Sequence, residues 1–381
     1  MNILSKRFQL IVRSASRNLL SRRKFVSGSA YSIFGTGIFL GGLSACSRSS
    51  DETAADQPAE QETAEQEAAE QAPEQKPQSK ITRIKMGTMT ATDLQPVEER
   101  FKQWLGYTVV ERGKISEALS SSWGTPGMAG RDYILMQPEG GADVFIRAVQ
   151  IDEVANFKGM TTFGWNCFEI VVDDLYAVND TLLDSPWEII GGPASLGGNF
   201  ASIHAMQMIG PSQEVLYLTE QTDKESTLLP DPDGLVGRTF ILVLGGPDVG
   251  AIMNFYGSKF SIAVGEPNEG TNALVNKALD LPDDYKLDIG FMPLGEPGNF
   301  LEIDGYPESA GPRPQAQGQL PPGNALCSFS VNDLDELDLD YISAPVQNSS
   351  LAYGGHRSAT FVGPAGELTE LIEEPREHIA T

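Results

Sequence analysis

The chain has 381 residues, with 52 acidic against 27 basic side chains and a formal net charge of −25. That length exceeds one ordinary domain of about 100–200 residues, and the sign of the charge argues against the basic face a nucleic-acid binder needs. Hydrophobic residues at 40% suffice for a packed core, whereas three cysteines are too few for a disulfide scaffold and three histidines (His204, His356, His378) leave little room for a histidine-rich metal centre.

Residues 1–50 contain no acid and eight basic residues, the asymmetry of a targeting segment rather than a fold. Ser21-Arg22-Arg23-Lys24-Phe25-Val26 resembles the twin-arginine export signal, with Arg22 and Arg23 as its pair. The mildly apolar stretch Val26 to Leu43 is too interrupted by Gly and Ser to read as a spanning helix of about 20 residues. Leu43-Ser44-Ala45-Cys46 then matches the bacterial lipobox. The resemblance implies lipidation of Cys46, which becomes the mature N-terminus, and an anchor of several acyl chains holds stably where one is marginal. Ser47 after it favours the outer membrane. The expectation is a signal peptide over 1–45 and a lipid-anchored protein at the periplasmic face of a bacterial envelope. The alternative is an uncleaved anchor with a chance cysteine.

Residues 46–80 form an acidic linker. From Asp51 to Lys80 no aromatic residue, Leu, Ile, Val or Met occurs, so nothing offsets the entropy of ordering it and a disordered, self-repelling tether is expected.

The remainder contains one unit four times. An apolar, strand-like run ends in a residue, an Asp and an aliphatic: Thr92-Asp93-Leu94, Asp173-Asp174-Leu175, Pro247-Asp248-Val249 and Asn332-Asp333-Leu334, spaced by 81, 74 and 85 residues. The Asp suits a helix N-cap. Val97, Phe101, Trp104 and Leu105 form a helical apolar stripe after the first copy, Leu175, Val178 and Leu182 after the second, and Val249, Ile252, Met253 and Tyr256 after the third. The fourth helix, around Asp335–Tyr341, is expected to be short. Three β-rich runs follow the first helix, and the other copies show comparable runs, so each unit reads βαβββ.

These units resemble the vicinal oxygen chelate (VOC) superfamily of glyoxalase I, extradiol dioxygenases and bleomycin-binding proteins. The best stretch is Ala359–Glu374, a strand, a Pro-x-Gly turn and a strand bearing Glu370. Phe300–Asp304 resembles the same last strand, and Phe101–Tyr107 the family's helix end. The resemblance implies an α+β fold of four βαβββ modules paired into two glyoxalase-like domains. Modules one and two are expected over 81–225 and modules three and four over 235–381. Between modules three and four, Ser309–Asn324 reads as a lid or a crossover. The fold hosts many chemistries, so activity does not follow from it.

The family holds a divalent metal with His, Gln or Glu from first strands and Glu from last strands. The first-strand position, about seven residues before the capping Asp, falls on Met86, Cys167, Ile241 and Leu326; the last-strand position falls on Arg147, Tyr217, Glu302 and Glu370. No histidine is among them, so no metal is expected, Glu302 and Glu370 being its ligands if one is bound. As a like-charged pair in one cavity, Glu302 and Glu370 would supply an acid and a base, with His356 near the last hairpin as a further candidate; the alternative is two solvated rim glutamates and a surface histidine. In the first half, Cys167 and Glu169 share a strand face and with Arg147 and Tyr217 suit a pocket for an acidic ligand, or Arg147 and Glu169 form an internal salt bridge. Cys167 and Cys327 differ in register by one residue and are expected as buried thiols on opposite faces. Gly245-Gly246-Pro247-Asp248 lacks the Lys of a phosphate loop.

The reading is capture of a small organic molecule in a β-cup without a cofactor or the usual catalytic metal. Its rivals are a metal-dependent lyase, isomerase or dioxygenase-like enzyme using Glu302 and Glu370, and an envelope partner protein with vestigial cups.

Overall fold

The computed structural model describes residues 78–375, apart from 198, 199 and 227. Arg22, Arg23, Cys46, nearly all of the tether and His378 lie outside the described residues. Among the described residues, no helix is long and apolar enough to cross a membrane.

Each module begins with a long buried strand. Module one comprises β1 (Ile81–Ala91), α1 (Gln95–Leu105), β2 (Tyr107–Lys114), a short inserted α2 (Glu117–Ser122), β3 (Asp132–Pro138) and β4 (Phe145–Gln150). Module two comprises β5 (Gly164–Val172), α3 (Leu175–Leu182), β6 (Glu188–Ser195), β7 (Ile203–Ile209) and β8 (Val215–Gln221). Module three comprises β9 (Val236–Gly246), α4 (Val249–Phe260), β10 (Asn268–Gly270), α5 (Ala273–Ala278), β11 (Leu287–Pro293) and β12 (Phe300–Gly305). Module four comprises β13 (Asn324–Val331), β14 (Val346–Gln347), β15 (Arg357–Val362) and β16 (Leu368–Glu373).

The repeated Asp does one of two kinds of local work. Asp174 Oδ1 accepts from Ala177 N at 2.9 Å and Asp248 Oδ1 from Ala251 N at 2.8 Å, each capping its helix. Asp93 and Asp333 instead close turns onto the amides of Gln95 and Asp335, at 3.0 and 2.8 Å. After Asp333 the expected helix is absent and the chain makes only turns. Asp333, Asp335, Glu336, Asp338 and Asp340 crowd like charges at helical spacing, and Leu334, Leu337 and Leu339 do not make a helical stripe.

Two eight-stranded sheets result. Sheet A runs β14-β15-β16-β13-β1-β4-β3-β2 and sheet B runs β10-β11-β12-β9-β5-β8-β7-β6. First strands pair antiparallel, β1 with β13 and β5 with β9, and each first strand pairs in parallel with the last strand of its own module. Module one is therefore joined to module four and module two to module three, which corrects the expected division into 81–225 and 235–381. All four first strands are similar apolar runs, so their sequences do not select a partner. Connection length does not select it either, since residues 151–163 link the unpaired modules one and two and residues 222–235 link the paired modules two and three.

One face of each sheet meets the helices and the other sheet in a single apolar core. Trp165 of β5 and Phe329 of β13 meet there with ring centroids 5.9 Å apart. Gly87 on β1 makes this approach possible, since a Cβ there would lie 2.7 Å from the Phe168 ring. The core also takes one charge pair, Arg100 on α1 donating from Nε to Glu214 Oε1 at 2.9 Å. Burial pushes the Glu214 carboxyl up, and Arg100 only partly opposes it. The opposite faces form two separate apolar clusters, the interiors of cup A and cup B. Cys327 lies in the shared core and Cys167 in cup B, on opposite faces as expected, and no disulfide joins them.

Candidate functional site

Strand register decides what stands at the centre of each cup. Thr88 pairs with Arg147 and Ser328 with Glu370 in sheet A; Glu169 pairs with Tyr217 and Val243 with Glu302 in sheet B. Each of these first-strand residues stands five positions before its Asp, two nearer than the family spacing implies. The residues at the family spacing, Met86, Cys167, Ile241 and Leu326, face the cups as apolar or thiol packing.

Cup A gathers a closed polar cluster. Glu370, fully buried, accepts from Trp123 Nε1 at 2.9 Å, from Ser328 Oγ at 2.6 Å and from the Tyr353 hydroxyl at 2.9 Å. Arg147 donates from Nη1 to the same hydroxyl at 2.7 Å and from Nε to Thr88 Oγ1 at 3.1 Å, while its Nη2 lies 3.6 Å from Glu370 Oε2. The guanidinium carbon sits 4.6 Å from the centroid of the Trp123 ring, a cation–π contact made stronger by desolvation. Burial acts against the charge on Arg147, but Tyr353 and Glu370 outweigh it and hold the guanidinium above its ordinary value. The Tyr353 phenol is pushed well above 10, by burial first and by Glu370 next, so it stays neutral and keeps its proton to donate.

Two short segments outside the strands deliver the aromatic members. Ser116 caps α2 by accepting from Leu119 N at 3.1 Å, and the helix hands Trp123 into the cup. A single 3-10 turn over Leu351–Tyr353, ended by left-handed Gly354, does the same for Tyr353. Trp123 and Tyr353 are each 1% exposed and Arg147 is 2% exposed, so the cluster is sealed from solvent.

Cup B is different. Glu169 and Glu302 are both buried on its inner face, with Cys167 and Tyr217, and Glu169 accepts from Thr219 Oγ1 at 2.7 Å. Glu302 and Glu370 thus lie in different cups and form no acid–base pair. Arg147 lies in the other sheet from Cys167, Glu169 and Tyr217, so neither the four-residue pocket nor an Arg147–Glu169 bridge forms. The physical cause is the module pairing, which moves Arg147 from beside module two to beside module four. His356 is exposed on its turn and acts electrostatically on Glu373. Thr88, Trp123, Ser328 and Tyr353 escaped the sequence reading. The inward alternation of β1 and β13 carries a signal for Thr88 and Ser328, whereas nothing local marks Trp123 or Tyr353.

The divalent metal implied by the family resemblance does not fit cup A. Its donors are three hydroxyls and one carboxylate already shared among three hydrogen-bond donors, beside a guanidinium that offers no lone pair and repels a cation. Among the described residues, no group of three or more His, Cys, Asp and Glu is placed to hold a metal in either cup.

A cavity of about 470 Å³ lies at the edge of cup A, walled by Trp123, Phe163, Trp165, Arg313, Glu367 and Leu368. Part of its wall is the crossover between modules three and four, at Pro312, Arg313, Gln315 and Pro321.

No family model and no curated protein matches the chain. Solved structures do resemble it. Glyoxalase I from Zea mays superposes with a TM-score of 0.50 at 15% identity, covering 76% of this chain and 92% of that one. A putative dioxygenase from Bacillus subtilis gives 0.51 at 12% identity, covering 78% and 87%. At such identities the likeness carries the architecture alone. The chain accordingly has the α+β fold seen in glyoxalase I, three βαβββ modules and a fourth without its helix, paired into two cupped sheets.

Proposed function

We propose that this protein is a member of the VOC superfamily, exported and lipid-anchored through Cys46 at the bacterial envelope, that captures a small organic molecule without a divalent metal. The observation that carries this reading is Arg147. The protein's own cation occupies the centre of cup A, tied to Glu370, Tyr353 and Thr88 and stacked over Trp123. A metal-dependent reaction using Glu302 and Glu370 together has no support, because the two side chains belong to different sheets. The export signal and lipobox in residues 1–46 support the envelope location, and the acidic tether after them supports a domain held away from the membrane.

Isothermal titration with zinc, ferrous, magnesium and calcium ions tests the metal-free reading. The expected result is no stoichiometric site of sub-micromolar affinity, and one such site would reject it. For the anchor, a Cys46→Ser variant is expected to leave the membrane fraction; retention there would reject lipidation at that residue.

A further inference from the structure

Arg313 is a buried cation without an acid. Its Nε donates to Thr162 Oγ1 at 2.9 Å, Nη1 to the carbonyls of Asn324 and Pro322 at 2.5 and 3.4 Å, and Nη2 to Trp165 O at 2.7 Å and Asn166 Oδ1 at 3.0 Å. Every acceptor is uncharged, and among the described residues no carboxylate forms an ion pair with it. Burial lowers its proton affinity to about 10, with no carboxylate opposing that shift. A buried charge held this way costs free energy that an anion beside it would recover.

The space beside it is suited to receive one. Arg313 lies deep yet only half-buried, because part of its surface lines the 470 Å³ cavity. Gly164, at φ 105°, passes the guanidinium without a side chain; a Cβ there would sit 3.8 Å from it. Phe163 supplies the accessible aromatic wall, with Trp123 and Trp165, each 1% exposed, packed behind it. Trp165 is fixed by its Nε1 donating to Leu368 O at 2.8 Å, and Trp123 by its bond to Glu370. Ile342 and Val362, 36% and 55% exposed, line the same cavity and make an apolar mouth. Glu367 also lines it, but its two oxygens are engaged by the Tyr256 hydroxyl and the Ala365 amide, each at 2.8 Å. The negative charge of the whole chain is screened beyond about 8 Å at physiological salt, so the local guanidinium governs binding in the cavity.

We propose that this cavity, beneath the crossover from Pro312 to Pro321, is the ligand site, and that its ligand is a small acid with an apolar body, held against Phe163, Ile342 and Val362 by the field of Arg313. The site rests on the capture function proposed above and places it at the edge of cup A.

Fluorescence titration tests it with two probes, anilinonaphthalene sulfonate and the uncharged phenylnaphthylamine. The protein is the full chain made unlipidated by Cys46→Ser, so that no detergent competes. One saturable site is expected for the sulfonate, quenching tryptophan emission, at least tenfold tighter than for the uncharged dye. Arg313→Gln is expected to weaken the sulfonate about tenfold while leaving the uncharged dye unchanged. Ile342→Trp at the mouth is expected to weaken both, and it decides the matter if Arg313→Gln does not fold. Absence of a saturable site, equal affinity for the two dyes, or unchanged affinity in the folded variants would overturn the proposal. Neither variant touches the Arg147–Glu370 cluster, so a metal found in a cup would reject the metal-free reading and leave this result standing, and the reverse also holds.

Discussion

Arg147 and Glu370 come from modules at opposite ends of the folded chain and meet at the centre of sheet A, 3.6 Å apart, with the Tyr353 hydroxyl bonded to both. The contact exists only because module one pairs with module four. It gives cup A an internal cation, held by Trp123 and Tyr353 together with Glu370.

Removing one member of a buried ion pair costs more than removing both, because the survivor is left charged and desolvated. Arg147→Met and Glu370→Gln are each expected to cost about 3–5 kcal/mol in denaturant unfolding. The double variant is expected to cost clearly less than the sum. Additive losses would show that the two side chains are not coupled.

Stability is expected to carry the signature of Glu367. Burial raises its carboxyl from 4.5 to about 7, although Tyr256 and the Ala365 amide oppose the shift. The groups facing it are the neutral Tyr256 phenol of α4, Thr369 of β16 and the Cys327 thiol of β13, which burial also keeps protonated. Between about 4.5 and about 7 the folded chain holds a proton that the unfolded chain has released, so stability falls as pH rises through that window. The loss is about 3 kcal/mol and is complete above the folded value. Glu367→Gln abolishes it, so the melting temperature of the variant relative to the parent is expected to climb between about pH 5 and about pH 8. A constant or falling difference would contradict the burial argument.

Gly87 holds the two sheets together by what it lacks. Gly87→Ala drives a methyl into the Phe168 ring, whose nearest atom is 2.7 Å from the added carbon. A loss of about 1–3 kcal/mol is expected by denaturant unfolding. The smaller ring-free variant Phe168→Leu is expected to relieve part of that loss in combination with it. A neutral Gly87→Ala would mean that the sheets are less tightly apposed.

The four Asp residues made the modules legible because capping a helix or closing a turn is local chemistry, readable from an Asp at the end of an apolar run. The positions of Arg147, Tyr217, Glu302 and Glu370 were legible through the family resemblance, which marks the last-strand residue that faces a cup. The pairing of modules was not, because β1, β5, β9 and β13 are near-equivalent apolar strands joined by connections of similar length. That single ambiguity misplaced every proposed pair, Glu302 with Glu370 and Arg147 with Glu169. Trp123 and Tyr353 reach Glu370 from an inserted helix and a 3-10 turn, contacts set by packing across the sheet. Arg313 lay in a Pro- and Gly-rich crossover whose composition conceals a buried charge.

The side-chain Nε proton of Arg147 reports the central relationship most directly. In a ¹⁵N spectrum, with the signal assigned by its loss in Arg147→Lys, this proton is expected to exchange slowly with water and to stay unmoved by stoichiometric zinc or by chelator. Rapid exchange, or a shift saturating at one zinc per chain, would show that the guanidinium does not fill cup A and that a metal competes for its place.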